Sequence, residues 1–366
     1  MEYQTVVVNL LIALNRNLDK GISEKMLYAG GNTGNLVFTE SVKKQVQYEK
    51  EIWLNPTALK GVENPSVIIP SANFIRESDT EMVSNLIRFL ENTDCPVTAA
   101  GLGAQAEEGV TPAELVEKLT ETHIRAFKML SERAVSIGVR GEYTAECLNQ
   151  MGIHNVRIIG CPSFYFRRGS QSHRLKIPSL RKVQMTLTPG DARESLILEQ
   201  GMKTDAFWLM QMMSENPELA LESKSWNPDV EEEVRTFRET RFENLSVTEY
   251  DLWDYMCRKC RMFFDMQSWE QFYDEEDITF AFGSRFHGNM AAFHSGVTTL
   301  WIVHDTRTRE LIDTLHLPHI DYAALAEIHD PQELIERCDY GDYERHYEGL
   351  YNHYLDFLRE NHLKIK

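Results

Sequence analysis

Short apolar runs alternate with amphipathic stretches through most of the chain. SVIIPSA (66–72), PVTAAGLG (96–103), AVSIGVR (134–140) and NVRIIGCP (155–162) are continuous apolar segments that close on Gly, Pro or polar residues. That pattern reads as strands buried on both faces, the signature of a parallel sheet. KVQMTLTP (182–189), DITFAFG (277–283) and TTLWIV (298–303) repeat it later in the chain. The stretches between them carry helical spacing, as in SDTEMVSNLIRFLEN with its Ser and Asp start signals. Helices are expected from about Leu36 to Gln47, through the acidic middle, from Gly288, and from Tyr340 to the end. Residues 3–20 also read as a helix, and EKMLYAG as a short strand ahead of the GGNTGN loop. The alternation predicts an α/β protein of two Rossmann-like domains facing across a cleft. The break falls at 167–181 (RRGSQSHRLKIPSLR), polar, basic and poor in apolar residues, which reads as a linker. The expected division is 1–170, 182–340, and a terminal helix over 341–366 packing back on the N-terminal domain.

Composition narrows the partners. A length of 366 residues suits two cores, and 42% apolar with 10% aromatic residues is a globular composition. The formal net charge of −18 argues against a nucleic-acid binder and against an anionic membrane surface. No apolar run is long enough to span a bilayer. The opening MEYQTVVVNLLIALN lacks a basic leader and a cleavage site, so no signal peptide is read. Six scattered cysteines are expected as free thiols in a reducing cytoplasm. Cys257 and Cys260 form one CxxC, which supplies half of the four ligands a structural zinc requires, so no metal is expected.

Candidate chemistry collects at strand ends, where ligands of α/β domains bind. Arg140 closes the strand 134–140, and Glu142, Tyr143 and Thr144 lead into a helix. Its guanidinium fork suits a carboxylate or phosphate, although pairing with a protein carboxylate is an equal reading. Arg285 and His287 follow DITFAFG and precede a helix rich in small residues. A permanent charge, a base that titrates near neutral pH and free backbone amides there suit an anion site, the other reading being a polar turn that holds two bases. His304, Arg307 and Arg309 flank the next strand end; His294 and His316 read as packing or surface groups. GGNTGN (30–35) and AAGLGAQ (99–105) are glycine-bearing loops that could admit a ligand or simply turn.

In order along the chain these segments resemble the polysaccharide pyruvyl transferase family. The family's arginine segment corresponds to Val139-Arg140-Gly141-Glu142 through Gly152-Ile153, Val156 and Cys161-Pro162. Its Ser/Met-Arg-Leu-His loop corresponds to Ser284-Arg285-Phe286-His287, followed by Gly296-Val297-Thr298 and by His304 to Arg307; its glycine loop corresponds to Gly34-Asn35. The chain departs from the family where Gly141, Cys161 and Asn35 stand in place of aspartates, and where His304 and Arg307 replace a Tyr and a Lys.

The resemblance implies a GT-B-like fold and transfer of the pyruvyl group of phosphoenolpyruvate to a sugar as a ketal, in bacterial-type cell-surface glycan synthesis. It implies no cofactor beyond phosphoenolpyruvate as donor substrate, and a sugar or glycan acceptor near the loops at 30–35 and 101–105. Arg140 and Arg285 would clamp the two anions, Arg307 would support them, and His287 would move a proton or hold the phosphate. Phe286, Gly288, Gly34 and Asn35 would line the same site. The alternatives are a GT-B-like glycosyltransferase using a nucleotide sugar and a non-catalytic glycan-assembly protein of the same fold. A homo-oligomer is compatible with all three.

Overall fold

The structure is a computed structural model and describes residues 2–78, 80–107, 109–167, 175–188, 190–222, 225–242 and 244–366. It holds two six-stranded sheets. The first contains β1 (Gln4–Val8), β2 (Lys50–Ile52), β3 (Pro65–Pro70), β4 (Val97–Leu102), β5 (Ile137–Val139) and β6 (Val156–Ile158), in the order β2-β1-β3-β4-β5-β6. The second contains β7 (Val183–Thr186), β8 (Phe207–Leu209), β9 (Cys260–Arg261), β10 (Phe280–Gly283), β11 (Thr298–Val303) and β12 (His319–Asp321), in the order β12-β11-β10-β7-β8-β9. Every neighbouring pair is parallel. The second order, counted from β7, is that of the Rossmann fold, with its reversal between β7 and β10; the first is the flavodoxin-like order with one strand added, reversing between β1 and β3.

Inner strands such as β4 (VTAAGL) and β11 (TTLWIV) are buried at every residue, which is why they read as unbroken apolar runs. The carboxyl ends of the two sheets face each other. Thr33 N–H donates to Gln211 O at 3.0 Å across the seam, and Thr306 Oγ1 to Ala106 O at 3.1 Å. The protein is therefore α/β, with two Rossmann-like halves in a GT-B-like arrangement. Among the described residues no helix is long and apolar enough to cross a membrane.

Several local expectations are corrected. Residues 3–20 do not form a helix: Gln4–Val8 is β1, and the chain then makes only a 3₁₀ turn at Leu14–Arg16. The β-branched Val6–Val8 lie between β2 and β3, fully buried, where their stiff side chains pack well. EKMLYAG is not a strand. Ile22–Tyr28 is a helix that buries Met26 alone of its residues, so an exposed run of good helix formers prevails. GGNTGN consequently joins two helices, Ile22–Tyr28 and Asn35–Gln45. The acidic middle is not all helix, because β8 and β9 interrupt it.

The helix expected from Gly288 begins at Phe286, with Arg285 as its N-cap, so His287 lies in the first turn rather than in a loop. Of the linker reading, residues 168–174 lie outside the described residues. Lys176 is tied to the second sheet by its N–H to Gly296 O (2.6 Å) and its Nζ to Ile278 O (3.0 Å).

The helix Gly341–Glu360 touches both sheets. Near its start, Tyr340 stacks on Phe293 and exchanges hydrogen bonds with the backbone of Thr299. Near its end, Phe357 packs on Gly138 of β5, and Asn361 Oδ1 accepts from Ser136 N–H at 3.2 Å. The final residues continue along the first sheet, where Lys366 N–H donates to Gln45 O at 2.9 Å.

Candidate functional site

The second sheet reverses between β7 and β10, and the chain leaves β10 at that point into Ser284-Arg285. Gly283 has φ +143°, and a Cβ there would lie 1.9 Å from Thr186 O, so only glycine lets β10 end against β7. Asn289 locks the turn: its Nδ2 donates to Gly283 O at 2.8 Å and its Oδ1 accepts from Thr186 Oγ1 at 2.9 Å.

Arg285 is 7% exposed. Its Nε donates to Leu187 O at 3.1 Å, while Nη2 is buried without a hydrogen-bond partner in the protein. Among the described residues no carboxylate lies within 4 Å of this guanidinium. Burial lowers its pKa from the ordinary arginine range, and Glu215 and Glu194 pull the other way.

Arg140 comes from the end of β5 in the other half and is 1% exposed. Its Nε donates to Gly101 O at 2.9 Å, one terminal nitrogen bonds Asn73 Oδ1, and the other reaches Ser71 O at 3.4 Å. Burial lowers its pKa as well, against the pull of nearby Cys161 and Glu310. Arg307 lies in the first turn of the helix Thr306–Leu315 and pairs with the N-cap Asp305 at 3.3 Å. Asp305 also accepts from Thr308 N–H at 2.7 Å. Its carboxyl is held below the ordinary range, with Arg307 and His304 outweighing its burial. His304 is pushed down to about 4 by burial, despite Asp305 beside it.

His287 Nε2 stands 3.4 Å from Cys161 Sγ, and the ring lies between Phe38 and Phe286. Loss of solvent, then Arg140 and Arg307, hold its pKa well below the ordinary value, so the ring is a neutral imidazole at pH 7. The three arginines and His287 thus lie in one another's field, contributed by both halves.

Gly34 meets this group sterically. A Cβ on it would lie 2.6 Å from Gln211 Oε1 and 3.1 Å from His287 Cβ, so the glycine loop serves close packing of the two halves. Gly288 serves close packing within the second half, since its Cβ would lie 2.3 Å from Gln211 Nε2 and 2.8 Å from Thr186 Cγ2. Phe286 is packed into the core beside Trp301. Asn35 is not brought to the site: its Nδ2 donates to Ala29 O at 3.1 Å within its own loop, helping to close the turn at Gly30 and Gly31.

Three participants were missed from sequence. Gln211, just beyond β8, is 1% exposed, and its Nε2 has no partner. It follows a strand of three residues and belongs to no motif, so nothing marked it. Glu310 fills the space of the absent side chain at Gly141, where a Cβ would sit 2.4 Å from Glu310 Cγ. Its carboxylate accepts from Thr144 N–H (2.6 Å) and Thr144 Oγ1 (2.9 Å). It thereby caps the helix Glu142–Gln150, whose N-cap Gly141 has no side chain of its own. Burial raises the Glu310 pKa to about 7, against the Thr144 bonds and Arg140. Cys161, quoted above only as a departure from the family, is the third.

All six cysteines are free. Among the described residues, the group with metal-ligand spacing is His316, Asp342 and His346. It lies at the far end of the Thr306–Leu315 helix from Arg307, and its side chains already pair, His316 with Asp342 at 2.8 Å. At the seam, by contrast, cations gather, and Arg285 keeps a buried donor with no carboxylate within 4 Å among the described residues.

No family model and no curated protein matches this chain. Among solved structures it is similar to a functionally uncharacterized protein from Klebsiella pneumoniae, with 12% identity, TM-score 0.43, and coverage of 85% of this chain and 88% of that one. It is also similar to the UDP-GlcNAc 2-epimerase of Methanocaldococcus jannaschii (11%, TM-score 0.40, 96% and 99% covered). A third is a putative UDP-N-acetylglucosamine 2-epimerase from Listeria monocytogenes (11%, TM-score 0.38, 98% and 96% covered). Likeness at this level adds nothing to what the strand order already establishes.

Proposed function

We propose that the seam binds phosphoenolpyruvate and that the chain transfers its pyruvyl group to a sugar as a ketal, with release of phosphate. The observation that carries this reading is the buried, unpartnered Nη2 of Arg285 at the reversal point of the second sheet. Phosphoenolpyruvate carries a carboxylate and a phosphate, and a site for it needs cations at two points. Arg285 offers one open guanidinium edge. Arg140 and Arg307 extend the positive field towards a second anionic group. Gln211 Nε2 supplies a further buried donor without a partner. The departing phosphate is neutralised by fixed charge in a poorly solvated place, where such stabilisation is strongest. His287, held neutral, leaves the anions unopposed as acceptors of the arginine donors and offers a base for a sugar hydroxyl.

Thermal denaturation with and without ligands tests the reading. Phosphoenolpyruvate at about a hundred times its dissociation constant is expected to stabilise the protein by about 2.7 kcal/mol. Arg285→Ala is expected to abolish that gain. Stabilisation by UDP or a UDP-sugar alone would instead favour a nucleotide-sugar glycosyltransferase. Silence towards both would favour a glycan-assembly protein without this chemistry.

A further inference from the structure

Ketal formation begins with a proton delivered to the methylene carbon of phosphoenolpyruvate; both oxygens of Glu310 are committed to Thr144, which leaves the arginines and His287. The arginines do not release protons at neutral pH, and His287 carries none to spare as a neutral ring. Directly against His287 stands Cys161, at the N-cap of the 3₁₀ turn Pro162–Tyr165 beyond β6. Its sulfur has three polar influences. Ser163 Oγ donates to it at 3.1 Å, His287 Nε2 lies 3.4 Å away, and the Arg140 charge reaches it from the neighbouring strand end. A buried structural cysteine ordinarily packs among apolar groups alone. This one, although buried in the apolar cluster, also meets a hydroxyl donor and an imidazole, and it faces the half of the site that carries Arg285 and His287.

We propose that Cys161 is the acid of the reaction, with His287 as the relay that restores its proton; the proposal rests on the pyruvyl-transfer reading above. The S–H bond breaks as a C–H bond forms at the methylene carbon. The double-bond electrons make that C–H bond, leaving C2 electron-poor. The first sugar hydroxyl adds to C2 and its proton returns to sulfur through the imidazole. The C2–O bond to phosphate then breaks, with the electron pair leaving on phosphate. The second hydroxyl closes the ketal and its proton departs with the phosphate. Nothing is oxidised or reduced, and the thiol ends as it began. A thiol suits the first step because it holds a proton at neutral pH yet releases it far more readily than a hydroxyl.

The test uses the full chain and measures phosphate release from phosphoenolpyruvate with a panel of free, nucleotide-linked and lipid-linked sugars. Cys161→Ser, nearly isosteric, is expected to lower kcat about a hundredfold or more while the KM for phosphoenolpyruvate stays within about threefold. Cys161→Asp restores an acid in the same place. It is expected to recover at least about tenfold of that loss and to lose activity at lower pH than the wild type as pH is raised. Melting curves and phosphoenolpyruvate-induced stabilisation establish that each variant is folded and binds donor; Cys161→Ala replaces the serine variant if that one fails to fold. Folded Ser or Ala variants with kcat within about threefold of wild type would overturn the proposal and leave pyruvyl transfer standing. A rise in KM at constant kcat would overturn it too, making Cys161 a binding group. A wild type that neither releases phosphate nor is stabilised by phosphoenolpyruvate would remove the underlying reading, a distinct result.

Discussion

Arg140 and Arg285 occupy corresponding places, each at a strand end where its sheet opens towards the other, and each is almost wholly buried. Their surroundings differ. Arg140 is held by two backbone carbonyls and the Asn73 amide oxygen, all from the first half, so its donors are largely spent on its own sheet. Arg285 makes one side-chain bond, to Leu187 O, and presents an open edge. A buried guanidinium can thus be a structural brace that lends its charge, or a binding group kept unfinished, and only the count of satisfied donors tells which.

The sharpest way to break this comparison is to remove each charge. Arg140→Met strands the carbonyls of Gly101 and Ser71 and the Asn73 side chain, and is expected to cost about 3 kcal/mol or more, a fall in melting temperature of roughly 4 °C or more. Arg285→Met strands one carbonyl, Leu187 O, and is expected to cost about 1 kcal/mol, well below the Arg140 variant, while losing phosphoenolpyruvate-induced stabilisation. Equal melting of the two variants would collapse the distinction.

A second measurement sharpens it from the side of the carboxylates. Glu310 has its pKa raised from 4.5 to about 7, so the folded state prefers its protonated form. That contribution is fully present below about pH 4.5 and is lost as pH rises through about 7. Glu310→Gln keeps an acceptor for Thr144 N–H without the charge. The variant is expected to match wild type near pH 4.5 and to exceed it above pH 7, by up to about 3 kcal/mol. Denaturant unfolding of both across that range reads the difference. A gap that stays flat would mean that Arg140 and Arg307 compensate the ionised carboxylate in full.

The smallest expected effect lies at the meeting of the halves. Gly34→Ala forces a methyl group towards Gln211 Oε1 and His287 Cβ, at an expected cost of about 1–2 kcal/mol. Adding Gln211→Ala should recover part of it. Full additivity of the two changes would show that Gly34 and Gln211 do not press on each other.

β3, β4, β7, β10 and β11 were legible because burial on both faces writes itself as an apolar run, and TTLWIV coincides with β11 residue for residue. β2, β8, β9 and β12 were not: each has only two or three residues, whereas the equally short β5 and β6 were read from the longer segments 134–140 and 155–162. The valine run of β1 was misread because it flows into more apolar residues that continue a helical pattern. Arg285 and His287 could be picked out as bases beside a strand end. What sequence cannot hold is the difference between Arg140 and Arg285, because the carbonyls that occupy one and spare the other come from residues distant in the chain. Nor could it reveal that the space beside Gly141 is filled by Glu310, 169 positions on, since that contact is made in space.

The helix Gly341–Glu360 runs for 20 residues, about 30 Å, and its ends are fastened to different sheets. Parting Gly34 from His287 by rotation of the halves must therefore release the Tyr340–Thr299 pair, release the Asn361–Ser136 contacts, or bend the rod between them. This helix acts as a stay between the two halves. On the proposed function, it limits how far the seam can part around a bound anion.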